Sequence, residues 1–473
     1  MTGLSLTVHQ NEYLAPADTE MHVVLAVTAH GLGAATNGTP PEAAEVIAID
    51  CSGSMAYPPT KIAAARRATA AAIDALRDGV HFAVIKGQHT AELAFPTGDE
   101  RMVMASPETK EAAKAVVRRL DPNGGTAMGT WLNLAGTLLD VYPKAIRHVM
   151  LLTDGKNETE TPRELEEVLL THEGRFVCDA RGIGDDWSPK ELMRIVSVLH
   201  GSADAIREDH DLVGDFATMM HGAMSKVVPD IRLRIRASRF ARLRSLKQSF
   251  PVEADITELG TAVDDHTVEF STGSWGAETK HFRLCLEVDP AGLPTGEDML
   301  AARADLAVVR SGTAEEYGKA EAIRVHWTDD ARRSSVVAPD LAHYERHEEL
   351  RNAVDSGCAA YETGDWALAA THWERAVKLA DDLGNTKTVE RVRGLLEYEN
   401  GAVRVKPGLS PRDLFAITFS SRLSTRGPES AKLLEAKESQ PAEPDHECPS
   451  CGHISPATAV FCPNCRNRLG RNP

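Results

Sequence analysis

The feature that most constrains this chain is a long stretch in which short apolar runs alternate with segments of helical period. The order is EVIAID, KIAAARRATAAAIDALRDG, HFAVIKG, SPETKEAAKAVVRRL, AMGTWLNLAGTLLDVY and RHVMLLTD. It continues through GRFVCDARGI and SPKELMRIVSVLHG to a last helix-like segment near Val227. Strands that neighbour each other in parallel need a crossover long enough to hold a helix, so this alternation predicts βαβ units around a parallel sheet. Residues 43–227 therefore read as a doubly wound, Rossmann-like α/β domain, whose functional loops gather at the C-terminal ends of the strands.

The remainder follows other periods. At 473 residues the chain is too long for one core. Beyond Pro229 the pattern alternates every two residues in IRLRIRAS, AVDDHTVEFS, KHFRLCLEVD and ARADLAVVRS, predicting an antiparallel β-sandwich over residues 228–335. Two further strands, LSLTVH and HVVLAVTA, lie within residues 1–35 and are expected to complete that sandwich, which would make the α/β unit an insertion. Residues 340–400 return to helix formers broken at Gly364 and Gly384 and read as a helical hairpin. The hairpin resembles one tetratricopeptide unit at Tyr361, Gly364 and Asp365. Residues 401–446 are rich in Ser, Pro, Lys and Glu and read as a linker.

A net charge of −17 disfavours a general grip on nucleic acid or anionic lipid. The first residues lack a basic segment followed by an apolar one, and no apolar run is long enough to span a bilayer, so a cytoplasmic protein is expected. No phosphate-binding Gly-Lys-Ser/Thr loop, HExxH or GxSxG is present. An enzymatic role is therefore not expected.

Where the first α/β strand ends, the sequence reads Asp50-Cys51-Ser52-Gly53-Ser54. One carboxylate and two hydroxyls on a turn are hard oxygen donors of the kind Mg²⁺ prefers. Gly124-Gly125-Thr126 precedes a later helix, and Asp154-Gly155 ends another apolar strand. Three loops at strand ends can thus bring oxygens together. The plainer alternative is that Ser52, Ser54 and Asp50 only satisfy turn amides. These residues resemble the metal-ion-dependent adhesion site (MIDAS) of von Willebrand factor type A domains, over about residues 43–227. The resemblance implies that Ser52, Ser54 and Thr126 bind a metal directly, that Asp50 and Asp154 bind directly or through water, and that one position is left for an acidic side chain of a partner protein. Mg²⁺, with Mn²⁺ or Ca²⁺ as substitutes, is the expected cofactor.

Near the C-terminus, Cys448 and Cys451 form one C-x-x-C pair and Cys462 and Cys465 a second. Two such turns complete the closed tetrahedral thiolate set of structural Zn²⁺. Residues 447–469 resemble a zinc ribbon, with Arg466 departing from the glycine common at that position.

Together these features predict a cytoplasmic adaptor that binds protein partners through its metal, and the resemblance to bacterial proteins of this architecture implies a bacterial one. The architecture's resemblance implies a kinase, phosphatase or stress-response setting. The alternative is a nucleic-acid-associated regulator acting through the ribbon. A basic run from Arg232 to Lys247 reads as a solvated face or an interface to the acidic α/β domain.

Overall fold

The computed structural model describes residues 3–30, 40–98, 101–206, 210–310, 313–399, 402–432, 446–447, 449–451, 454–455 and 465. Three strands come first: β1 (Gly3–Gln10), β2 (Tyr13–Leu14) and β3 (Glu20–His30). The α/β unit follows as β4 (Ala43–Asp50), α1 (Thr60–Ala75), β5 (His81–Gly87), β6 (Ala91–Phe95), β7 (Val103–Met104), α2 (Pro107–Val117), α3 (Met128–Leu139), β8 (Ile146–Gly155), α4 (Pro162–His172), β9 (Val177–Asp186), α5 (Pro189–Val198), β10 (Ala203–Ile206) and α6 (Leu212–Met224).

Its sheet runs β10-β9-β8-β4-β5-β6, with β7 also on β5. The strands are parallel from β10 to β5, and β6 and β7 are antiparallel additions at the edge. Every residue of β4 is buried, as a central strand covered on both faces requires. Ile47 and Ile49 face a core formed with Ala65, Ala68, Val117, Phe216 and Met220 of α1, α2 and α6. Val46 and Ala48 point the other way, toward Trp131, Leu132, Leu169 and Ile195 of α3, α4 and α5. Pro at the first turn and Ser or Thr caps start α2, α4 and α5.

The chain then forms β11 (Asp230–Ala237), β12 (Ala241–Phe250), β13 (Ala254–Asp255), β14 (Thr261–Ala262), β15 (Thr267–Ser271), β16 (Thr279–Val288), β17 (Met299–Arg310) and β18 (Thr313–Trp327). These strands, with the first three, build two sheets of order β1-β3-β16-β12-β13 and β14-β15-β11-β17-β18-β2. β3 pairs along its length with β16. Leu25, Phe282 and Leu284 from one sheet and Leu233, Phe270 and Leu306 from the other belong to one continuous apolar core. In the basic run, Arg234 binds Glu269 at 2.6 Å, Arg244 pairs with Glu20, and Lys247 lies 3.7 Å from Glu348. These partners belong to the β and helical regions rather than to the α/β domain.

A short helix α7 (Ala331–Ser334) leads to α8 (Pro339–Glu362), α9 (Trp366–Asp382) and α10 (Thr386–Arg393). Trp373 of α9 is fully buried against α8, where Gly357 leaves room for it: a Cβ there would lie 2.3 Å from the indole. The region is thus three helices rather than one hairpin. The expected linker is also corrected. β19 (Leu396–Glu399) pairs with β20 (Ala402–Val405), and Pro411–Ser420 forms a helix, α11. Ser410 and Asp413 close a capping box and Pro411 occupies the first turn, so the Ser and Pro counted toward a linker here are helix-start signals. Phe415 and Phe419 pack on Trp187 of the α/β unit, while Ile417 enters the helical core. Charge fixes the same junction: Arg412 binds Asp185 at 3.2 Å, and Arg391 and Lys387 bind Asp204 at 2.8 and 2.7 Å.

Phe419→Ala should therefore lower the unfolding free energy by about 3–5 kcal/mol in a denaturant titration. A loosely tethered segment would give no measurable change.

Candidate metal centre

Asp50 is the last residue of β4, between β5 and β8, where crossovers leave the sheet in opposite directions and open a crevice at the strand ends. A single 3-10 turn, Gly53–Ala56, carries Ser54 over that crevice. The turn is tied to the loop before α3: Gly53 N donates to Gly124 O at 2.8 Å, and Asn123 N donates to Cys51 O at 2.8 Å. Gly124 has φ of +76°, a left-handed conformation that favours glycine. At Gly125 a Cβ would approach Thr159 to 2.4 Å. Both glycines let the loop bring Thr126 inward.

Hydrogen bonds connect the acidic residues. Asp50 accepts from Ser52 N at 2.8 Å through Oδ1 and from Thr153 Oγ1 at 2.6 Å through Oδ2. The hydroxyls of Ser52 and Ser54 lie 2.9 Å apart, and Ser54 Oγ donates to Asp154 Oδ1 at 2.7 Å. Gly155 marks the point of convergence. A Cβ at this residue would lie 3.1 Å from Thr126 Oγ1, 3.4 Å from Ser54 Oγ and 3.9 Å from Asp50 Oδ2. The structure therefore brings Asp50, Ser52, Ser54, Thr126 and Asp154 into one cradle that a side chain at residue 155 would obstruct.

Asp50 and Asp154 are both fully buried. Burial, and then the charge of Asp154, push the Asp50 carboxyl up to about 6, against the pull of its bonds from Ser52 and Thr153. The compensating cation is Lys61, whose Nζ donates to Asp154 Oδ2 at 2.8 Å and stands 3.9 Å from Asp186. The buried ammonium contacts Asp154 and not Asp50, so the two buried carboxylates keep a negative balance lined with hydroxyl oxygens. That donor set fits a hard divalent cation. Cys51 is buried, and its thiol is pushed up to about 12 by burial and by Asp50, so it stays protonated at neutral pH.

Lys61 and Thr153 escape sequence reasoning. Lys61 stands in the first turn of an alanine-rich helix, where a lysine ordinarily points to water. At the end of β9, Asp185 holds Arg412 and Asp186 faces Lys61. Of the four C-terminal cysteines, Cys451 and Cys465 are exposed, whereas Cys448 and Cys462, like most of the expected ribbon, lie outside the described residues.

Residues 44–205 match the family model for the von Willebrand factor type A domain. A solved von Willebrand factor type A protein from Catenulispora acidiphila is 38% identical, with a TM-score of 0.82, over 90% of this chain and 98% of that one. The chain belongs to the von Willebrand factor type A family. The ArnB paralog VWA2 from Sulfolobus acidocaldarius shares the fold at 14% identity and a TM-score of 0.51, over 90% of this chain and 100% of its own. No curated protein matches the sequence.

A cation held by ionised Asp50 must displace a proton below pH 6. Affinity for Mg²⁺, measured calorimetrically, should then fall about tenfold per pH unit below 6. The metal-free chain should respond in the opposite sense. The folded carboxyl titrates above its unfolded value, so its cost to stability is full above pH 6 and is relieved as pH falls toward 4. Asp50→Asn should abolish both the Mg²⁺ affinity and this part of the pH dependence of the melting temperature.

Proposed function

We propose that this chain is a non-enzymatic adaptor that captures protein partners through a divalent cation, Mg²⁺ in the first place, held by Asp50, Ser52, Ser54, Thr126 and Asp154. The observation that carries the reading is the cradle around Gly155, where oxygens from three loops face one point beside two carboxylates and a single lysine. Bound there, the cation supplies an electrophile that attracts an acidic side chain. The protein's residues do the rest. Ser52, Ser54 and Thr126 offer neutral oxygens, which leave the ion strongly positive, and Lys61 holds Asp154 in place. The partner's Glu or Asp then completes the shell by Coulomb attraction.

The rest of the architecture belongs to the same proposal. The two β-sheets act as a sandwich that carries the metal-bearing domain, and the four cysteines Cys448, Cys451, Cys462 and Cys465 form a Zn²⁺ ribbon. Among the described residues no helix is long and apolar enough to cross a membrane, and the reading places the adaptor in the bacterial cytoplasm. The kinase, phosphatase or stress-response setting is part of the reading and rests on resemblance alone.

Affinity capture from native cytosol with the intact chain tests it. The expected result is a protein recovered in Mg²⁺ and lost in EDTA, with Asp50→Ala and with Thr126→Ala, while the melting temperature of Thr126→Ala stays close to the parent's. Partners retained by both variants would defeat the metal-bridged reading. Nucleic acid recovered instead, with binding that weakens steeply as salt rises, would favour a ribbon-based regulator.

A further inference from the structure

On one face of the sheet that contains β3 and β16, His22 and Cys285 are direct partners in the antiparallel register. Glu20 precedes His22 by two residues and so projects to the same side. The imidazole nitrogen, the thiol sulfur and a carboxylate oxygen of these three residues all lie within 4.8 Å of one another. The strand register fixes them, so their approach does not depend on a mobile loop. Tetrahedral coordination at ordinary Zn–S, Zn–N and Zn–O lengths needs donors about 3.5 Å apart, a closure within reach of side-chain rotation.

The chemistry of the set discriminates among metals. Sulfur with nitrogen is a poor shell for Mg²⁺ or Ca²⁺, which take oxygen, and suits Zn²⁺. Glu20 and His22 are exposed, so a fourth position faces water, whereas Cys285 is buried. The nearby cations are already paired, one of them with Glu20 itself, whose carboxylate a metal would draw away from that guanidinium. Arg244 pairs with Glu20, while Arg283 binds Glu348 at 2.5 Å and Lys247 lies 3.7 Å from the same carboxylate. Burial and the Glu20 charge hold the Cys285 thiol above its ordinary value, against the pull of Arg244, Arg283 and Lys247, so the metal itself must displace the thiol proton. Burial holds the His22 imidazole below its ordinary value, and the negative field of Glu345 from α8 opposes that shift.

We propose that Glu20, His22 and Cys285 form a Zn²⁺ site with one solvent-filled position, distinct from both the oxygen-lined centre and the C-terminal cysteine pairs. Binding exchanges the thiol proton of Cys285 for the metal and links β3 to β16 across the sheet.

The test uses the full chain with Cys448, Cys451, Cys462 and Cys465 changed to Ser, and Co²⁺ as the spectroscopic probe. The expected result is a thiolate-to-cobalt charge-transfer absorption that saturates at one ion per chain and is displaced by Zn²⁺. Cobalt in the oxygen-lined centre gives no such band. Cys285→Ser should abolish it and Cys358→Ser should leave it. His22→Ala, a change at an exposed position checked for native circular dichroism, should weaken Co²⁺ binding by roughly tenfold or more. The proposal is overturned if the parent shows no band, if the band survives Cys285→Ser, or if folded His22→Ala binds Co²⁺ as the parent does.

Discussion

The pairing of β3 with β16 joins residues 20–28 to residues 279–287 by an antiparallel ladder, and the placement of every other element depends on it. The loop it closes contains the whole α/β unit. Closing so long a loop costs conformational entropy that grows only slowly with length, and the burial of Val23, Leu25, Phe282 and Leu284 between two sheets opposes that cost. The α/β unit therefore leaves the β region and returns to it. Its last strands, β9 and β10, then meet the C-terminal helices through Trp187, Asp185 and Asp204.

Buried charge is handled differently at the two ends of the parallel sheet. At the end where β4 begins, Glu45 is fully buried, and His148 lies between it and Asp179 at 2.8 and 3.0 Å. Burial would lower the histidine, but the two carboxylates outweigh it and push it up to about 10. That end carries its own cation at neutral pH. At the other end, Lys61 serves Asp154 directly and Asp50 has only hydrogen bonds. One histidine touches both carboxylates at the first end, whereas at the second the lysine reaches Asp154 and leaves Asp50 to hydroxyl and amide donors, a place that a divalent cation can fill.

The legible parts of the chain are those in which local pattern and tertiary role agree. β4 and β8 are buried on both faces and read as continuous apolar runs, and the Asp50-to-Ser54 turn uses residue types whose oxygens have few other reasons to cluster. The illegible parts are those in which composition and context disagree. The segment holding α11 reads as a linker because Ser, Pro, Lys and Glu are frequent over residues 401–446. Its apolar residues Leu414, Phe415, Ile417 and Phe419 repeat at helical spacing, yet Phe415 and Phe419 bury against Trp187, more than two hundred residues away, while Leu414 and Ile417 join the helical core. Lys61 gives no signal in its own helix, because its role comes from Asp154, on a strand ninety-three positions later. The pairing of His22 with Cys285 depends on a register that no local period encodes.

The insertion has a mechanical consequence. The oxygen-lined cradle sits at the C-terminal ends of the parallel strands, and the unit is anchored by two backbone crossings, one between β3 and β4 and one between α6 and β11. Under the proposed function, traction on a partner at the cradle would pass through the Trp187, Asp185 and Asp204 contacts to the C-terminal helices and through the two crossings to the β region. One of the crossings continues into β3, where load directed along the strand would shear its hydrogen bonds to β1 and β16 together instead of unzipping them singly.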